Sequence, residues 1–382
     1  MRRFFQLLSA AIVVAAIPAV AQFSVADIPF DSADVLKFPD NIHLGEAAGV
    51  ATNSRGDIFV YTRTGNPVLA TGANRAFVRG GSRLFQFDRS GKYTREIGQG
   101  IYGFLFAEQV RVDPQDNIWV VDSYSSTLIK FDQNGQVQLL LGRKPESINV
   151  PTPPLVIPSP ASAAAPAPPA RGAGPAPAPA GGGGGGEGGG RITGPPGTGA
   201  PQDVFNRPTD VAWDGQGNIF VADGLAVNAR VAKFDRNGKF IKSWGIRGSA
   251  PGQFINPKGL AVDLQGNVYV ADMGNRRIQV FDNDGTFKTQ FLNVGIPYAI
   301  CITPGPRQYL YSSNSNPPND IDVDGEIYKM DLTGKLLGRF GRAGKLMKEF
   351  GTVNSIDCRT ESDLYVGEIG NWRVQKISLR AK

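Results

Sequence analysis

The chain has 382 residues with 48 Gly, 28 Pro, 2 Cys and one His, and 41% hydrophobic against 19% charged residues suits a folded protein with a large core. One His excludes a multi-histidine metal centre, two Cys exclude a four-cysteine zinc site, and Gly plus Pro at a fifth of the positions argue against a mainly helical chain. The net charge of +6 leaves no nucleic-acid footprint, because Arg2, Arg3 and the low-complexity stretch 143–203 supply half of it and no element clusters Lys and Arg.

In chain order, Met1-Arg2-Arg3, an apolar run to Val20 and the small residues Ala19 and Ala21 read as a secretory signal over 1–21. The run contains Gln6 and Pro18 and is short for a membrane span, so the chain is expected to be exported, periplasmic or extracellular, with no span left after removal of the signal. Residues 33–142 hold an unpartnered strand at Asp34–Phe38 and two repeat units. The first unit starts at Gly49 and resumes at Arg83; the second runs from Glu108 to Gly142. A low-complexity insertion follows over 143–204. Pro, Gly and Ala fill 38 of the 50 positions 151–200, a composition that cannot bury enough apolar surface to offset its ordering entropy, so disorder is expected. Residues 205–382 carry four more units: Thr209–Gly245, Lys258–Leu292, a degenerate one from Tyr298 that resumes at Gly325, and Asn354–Leu379.

Each unit has the same grammar. An apolar strand leads into a tight turn such as Gly266-Asn267, then come a β-branched and aromatic strand, a third strand ending in Phe-Asp, an Asn-Gly or Asp-Gly turn, and a fourth strand. Six such units without helical periodicity predict an all-β, six-bladed propeller, since one blade cannot bury both faces by itself. The last unit has only three strands before Leu379, so Asp34–Phe38 is expected to supply the fourth and close the ring.

The stretches 266–282 (GNVYVADMGNRRIQVFD) and 217–235 (GNIFVADGLAVNARVAKFD) resemble the NHL-repeat family, which implies a six-bladed propeller. Within that group LGEAAGVA (44–51), Arg63, RPTDVAW (207–213), VQLLLGRKPE (137–146) and GKFIKSWG (238–245) are similar to the peptidyl-α-hydroxyglycine α-amidating lyase branch. That resemblance implies a zinc held by three histidines just before the first strands of blades two, four and six. Those positions are Glu108, Lys258 and Asn354 in this chain. The lyase's catalytic tyrosine would fall near Leu225 and its second arginine at Met273, so only Arg63 matches, and the zinc site is judged absent.

The residues before the first strands, Ala48, Glu108, Thr209, Lys258, Tyr298 and Asn354, are expected to ring the channel mouth. Glu108, Lys258 and Asn354 alternate around it and, with Arg63 and Tyr298, form either a salt-bridged plug or a site for a polar or anionic ligand; a Glu–Lys acid/base pair is a further possibility. Asp320, Asp322, Asp324, Glu326 and Asp331 follow a D-x-D-x-D-G order that suits Ca2+, against the plain alternative of a solvated acidic hairpin. Recurrent pairs (Asp223 with Arg230, Asp272 with Arg277, Glu368 with Arg373) read as turn bracing, and Trp119, Phe220, Tyr269 and Tyr365 as packing between blades. His43 reads as a structural or surface residue. Cys301 and Cys358 fall in oppositely facing registers of neighbouring first strands, which disfavours a disulfide. Two classes of function remain: a binding or protein-interaction module for a protein, peptide or saccharide, and a lyase or hydrolase working at the channel mouth.

Overall fold

A computed structural model describes residues 25–64, the short strands at 68–70 and 76–78, then 81–142, 204–225, 228–317, 320 and 322–380. The proposed signal at 1–21 and all of the insertion except Val204 lie outside these residues. A closing strand, β1 (Phe30–Asp34), precedes six four-stranded antiparallel sheets. Blade one consists of β2 (Glu46–Thr52), β3 (Ile58–Arg63), β6 (Arg83–Phe87) and β7 (Tyr93–Ile97), with the hairpin β4 (Val68–Ala70) and β5 (Ala76–Val78) between β3 and β6. Blade two is β8 (Ala107–Val112), β9 (Ile118–Asp122), β10 (Thr127–Phe131) and β11 (Val137–Leu141). Blade three is β12 (Pro208–Trp213), β13 (Ile219–Asp223), β14 (Arg230–Phe234) and β15 (Phe240–Trp244). Blade four is β16 (Pro257–Val262), β17 (Val268–Asp272), β18 (Arg277–Phe281) and β19 (Phe287–Phe291). Blade five is β20 (Ile300–Ile302), β21 (Leu310–Asn314), β22 (Glu326–Met330) and β23 (Leu336–Phe340). Blade six is β24 (Val353–Asp357), β25 (Asp363–Glu368) and β26 (Arg373–Leu379), completed by β1.

The turns carry the repeat. In the third hairpin of blades one to five, one Asp accepts the backbone N–H groups two and four residues on: Asp88, Asp132, Asp235, Asp282 and Asp331. A glycine with φ between 80° and 86° follows each of them, a backbone conformation that L side chains rarely adopt. The core divides into six apolar clusters, each drawn from two neighbouring blades, so every blade buries its faces against the next. Near the axis the first strands crowd: a Cβ at Gly49 would lie 2.3 Å from the Val110 nitrogen.

The ring closes by β1 pairing antiparallel with β26, from Phe30 opposite Leu379 to Asp34 opposite Gln375. The closing strand is thus four residues earlier than the sequence pattern placed it. Val35, Leu36 and Phe38 are taken instead by the cluster between blades one and six, Phe38 lying 5.0 Å from the Phe87 ring. Phe30 packs on Phe340 at 5.2 Å. Apolar side chains at both ends of the segment fix the register, and the polar stretch between them does the pairing.

A second difference concerns the cysteines. Cys301 and Cys358 form a disulfide with Cα atoms 5.9 Å apart, linking blades five and six. Opposite register facing decides contacts within a hydrogen-bonded sheet. Here the first strands belong to separate sheets, and Cys358 lies just beyond β24, where the chain is free to turn; its N–H points at the Cys301 sulfur at 3.0 Å.

Candidate functional site

Because the first strand of every blade lines the axis, residues distant in sequence meet there. Glu108 of blade two and Lys258 of blade four form a direct ion pair through Oε1 and Nζ. Arg63, at the end of β3, places Nη1 3.3 Å from the other Glu108 oxygen and 2.9 Å from the Ala107 carbonyl, while its Nε is 2.5 Å from Glu46. Asn354 of blade six donates to the carbonyls of Ala48 (2.6 Å) and Glu108 (3.0 Å), and its own Oδ1 is buried without a partner. Tyr298 flanks the group, with the Lys258 ammonium 5.7 Å from its ring, and burial raises its hydroxyl pKa. Thr209 turns its hydroxyl into the wall, toward the carbonyls of Ala222 and Pro257.

Arg63, Glu108, Lys258 and Asn354 therefore converge, and Tyr298 lies beside them. An open channel mouth is not what they build. The side chains of Glu108, Lys258 and Arg63 are only 1%, 8% and 10% exposed, because opposite charges from alternate blades draw together over the axis. Burial first, and the Arg63 guanidinium second, hold the Lys258 ammonium well below the ordinary lysine range. The Glu108 carboxylate opposes this by direct contact. Chemically the group is a desolvated Glu–Lys pair with an arginine on its far oxygen.

A further polar layer crosses the axis. Arg111 makes a two-pronged contact with Asp210 (2.9 and 2.6 Å) and also reaches the carbonyls of Ile356 (3.1 Å) and Ile300 (3.2 Å), joining blades two, three, five and six. Sequence reasoning missed it. The signal was present, for Arg111 occupies the position held by Ala51, Ala212 and Ala261 in other repeats. Also missed was a stack at the same end of the axis as Arg63. The Arg63 guanidinium lies 3.8 Å over Phe106, Phe106 meets Tyr124 at 4.8 Å, and Arg207 lies 4.8 Å over Tyr124.

The acidic loop does not bring its five carboxylates together. Asp320 and Asp322 are exposed, while Asp324 and Glu326 are tied to the Asn314 amide at 3.1 and 2.9 Å. Asp331 lies at the far end of β22, in the Asp-capped turn that recurs blade after blade, so its position in the motif is a product of the repeat. Among the described residues, no three His, Cys, Asp or Glu side chains are arranged to hold a metal. His43 is exposed, Leu225 lies in the loop after β13, and Met273 is partly buried after β17.

The recurrent acid–arginine pairs do brace the blades. Asp223–Arg230 (3.0 Å), Asp272–Arg277 (2.8 Å) and Glu368–Arg373 (2.8 Å) all form, each with a fully buried carboxylate. The same carboxylates accept the N–H groups of Asn206, Ile255 and Gly351, which tethers the connector from the preceding blade. Trp119 packs on Trp213 at 5.4 Å and Phe220 on Trp244 at 6.2 Å, in the clusters between blades.

Comparison with known proteins agrees with this architecture. A family model described as a 6-bladed beta-propeller, DUF5128, matches residues 205–336. Peptidyl-glycine alpha-amidating monooxygenase A of Xenopus laevis is 34% identical over 191 residues, covering 47% of this chain and 20% of that protein. NHL repeat-containing protein 3 of Mus musculus is 33% identical over 199 residues, covering 48% and 53% of the two chains. The probable peptidyl-alpha-hydroxyglycine alpha-amidating lyase pgal-1 of Caenorhabditis elegans is 22% identical over 360 residues, covering 90% and 85%. The match thus spans a fifth of the Xenopus monooxygenase and about half of the mouse NHL protein. The chain is a six-bladed β-propeller whose relatives are peptidyl-α-hydroxyglycine amidating lyases and NHL-repeat proteins.

Proposed function

We propose that this propeller is an exported binding or protein-interaction module that has lost the zinc chemistry of its lyase relatives, its ligand being a protein, peptide or saccharide. The observation that carries this reading is the chemistry at the three positions where the lyase resemblance puts zinc histidines. An ammonium, a carboxylate and an amide occupy them, the first two neutralise each other, and a buried Lys at a ligand position repels a divalent cation. Export is supported by the N-terminal signal pattern and by the Cys301–Cys358 bridge, since disulfides persist mainly in oxidising compartments. Purified protein should contain no stoichiometric zinc and should release no glyoxylate from a peptidyl-α-hydroxyglycine with or without added zinc. Stoichiometric zinc together with turnover overturns the reading.

A lyase or hydrolase without metal is the second reading, favoured by one feature. The depressed Lys258 pKa beside Glu108 is what a general base needs. Turnover of such a substrate in the presence of chelator, abolished in Lys258→Met, would establish it.

A further inference from the structure

The charges at the Arg63 end of the axis do not balance evenly. Arg63 is matched by Glu46 and Glu108, and Lys258 by Glu108. Arg207, which enters blade three just before β12, has no carboxylate within ion-pair distance among the described residues, and its Nε is buried without an acceptor. The nearby carboxylates are engaged elsewhere: Asp223 by Arg230 and Asn228, Asp122 by the N–H groups of Leu105, Phe106 and Ser125 and by the Tyr61 hydroxyl. What the guanidinium has is the Tyr124 ring at 4.8 Å, itself propped by Phe106.

The backbone sharpens the point. Arg207 has φ 61°, in the left-handed region, and precedes Pro208, which biases the residue before it toward extended conformations. The geometry belongs to the connector and not to Arg207 alone, since Asn256 (φ 53°) and Thr352 (φ 47°) repeat it just before the first strands of blades four and six. Asn tolerates that region at least cost, whereas Arg has no local hydrogen bond to offer there. A cation placed on a strained backbone, stacked on an aromatic platform and without a counter-charge among the described residues is poised for a ligand.

We propose that Arg207, with Tyr124 as its platform, is an oxyanion-binding site at the Arg63 end of the propeller axis, taking a carboxylate or phosphate group on the guanidinium and the flat part of the ligand against the aromatic pair. The proposal deepens the reading of the propeller as a binding scaffold and rests on it. Guanidinium recognises both anions by paired charge-assisted hydrogen bonds, so the test separates them.

Isothermal titration calorimetry of the purified protein would use N-acetylphenylalanine, its uncharged primary amide, and inorganic phosphate. Binding of the carboxylate, or of phosphate, is expected; each identifies its own anion, and the amide should bind at least about tenfold more weakly than the carboxylate. Arg207→Gln should weaken the anion by at least about tenfold, Arg207→Lys by less, and raised salt should weaken it further. Tyr124→Leu should weaken it while leaving the melting temperature near that of the parent, and Arg89→Gln, an exposed arginine on the opposite face, should change nothing. Unaltered anion binding in a folded Arg207→Gln, or no heat from either anion at millimolar concentration, overturns the site. Zinc-dependent turnover would overturn the binding-scaffold reading instead, which the calorimetry does not measure.

Discussion

Glu108→Gln is the sharpest probe of the axis. The carboxylate is 1% exposed and holds Lys258 by direct contact and Arg63 at 3.3 Å. Removing its charge leaves Arg63 with Glu46 and the Ala107 carbonyl, so the uncompensated buried ion is Lys258 alone. Breaking one partner out of a buried pair costs about 3–5 kcal/mol, and an ammonium that can shed its proton lies at the lower end, near 3 kcal/mol at neutral pH. The pH dependence follows from the Lys258 shift. Its folded pKa is depressed relative to the unfolded value of about 10.4, so between the two the unfolded chain binds more protons and stability rises with pH. Without Glu108 the folded pKa falls further. The deficit of the variant should therefore be largest at acid to neutral pH and shrink as pH rises between the variant's Lys258 pKa and that of the parent. Urea unfolding at about pH 6, 7.5 and 9 measures it. The double variant Glu108→Gln/Lys258→Met should recover most of the loss, because an apolar pair of similar volume needs no desolvated charge. If Glu108→Gln costs less than about 1 kcal/mol and the same at every pH, the pair is hydrated and the axis is not plugged.

Other elements give equally direct tests. Reducing Cys301–Cys358, or replacing both cysteines by Ala, should cost about 4 kcal/mol from the loop of 57 residues that the bond closes, read by urea unfolding with and without reductant; two thiols titrating in the native protein would refute the bridge. Arg277→Ala removes contacts to Asp272 and to the carbonyls of Ser249, Ala250 and Gln253 and strands a buried carboxylate, so a loss of about 3–5 kcal/mol is expected, whereas a loss below about 1 kcal/mol would make the recurrent pair decorative. For the acidic loop, EGTA and the double variant Asp322→Ala/Asp324→Ala should leave the melting temperature unchanged; a fall with EGTA that calcium reverses would restore the cation reading despite the separation of Asp331 from the loop.

Much of this molecule is written locally. The Asp-capped glycine turns, the alternating strands and the buried acid–arginine pairs recur from unit to unit, and each depends on residues within one unit, so the blade number and the propeller follow from the sequence itself. Even the convergence of Glu108, Lys258 and Asn354 was legible, because one repeat position maps to one ring of the axis. Tertiary structure decided what depends on the distance between units. Whether opposite charges brought together over the axis stay hydrated or collapse into a buried pair is set by how closely six first strands approach, as the 2.3 Å that a Cβ at Gly49 would leave shows. Cys301 meets Cys358 across two sheets whose relative position no strand register encodes. Asp331 is a turn residue because its strand, β22, ends there and turns into β23, although the spacing alone reads as a ligand. Arg207 is the clearest case: that no carboxylate among the described residues lies within ion-pair distance of it is a property of everything folded around it, and no single stretch of chain records it.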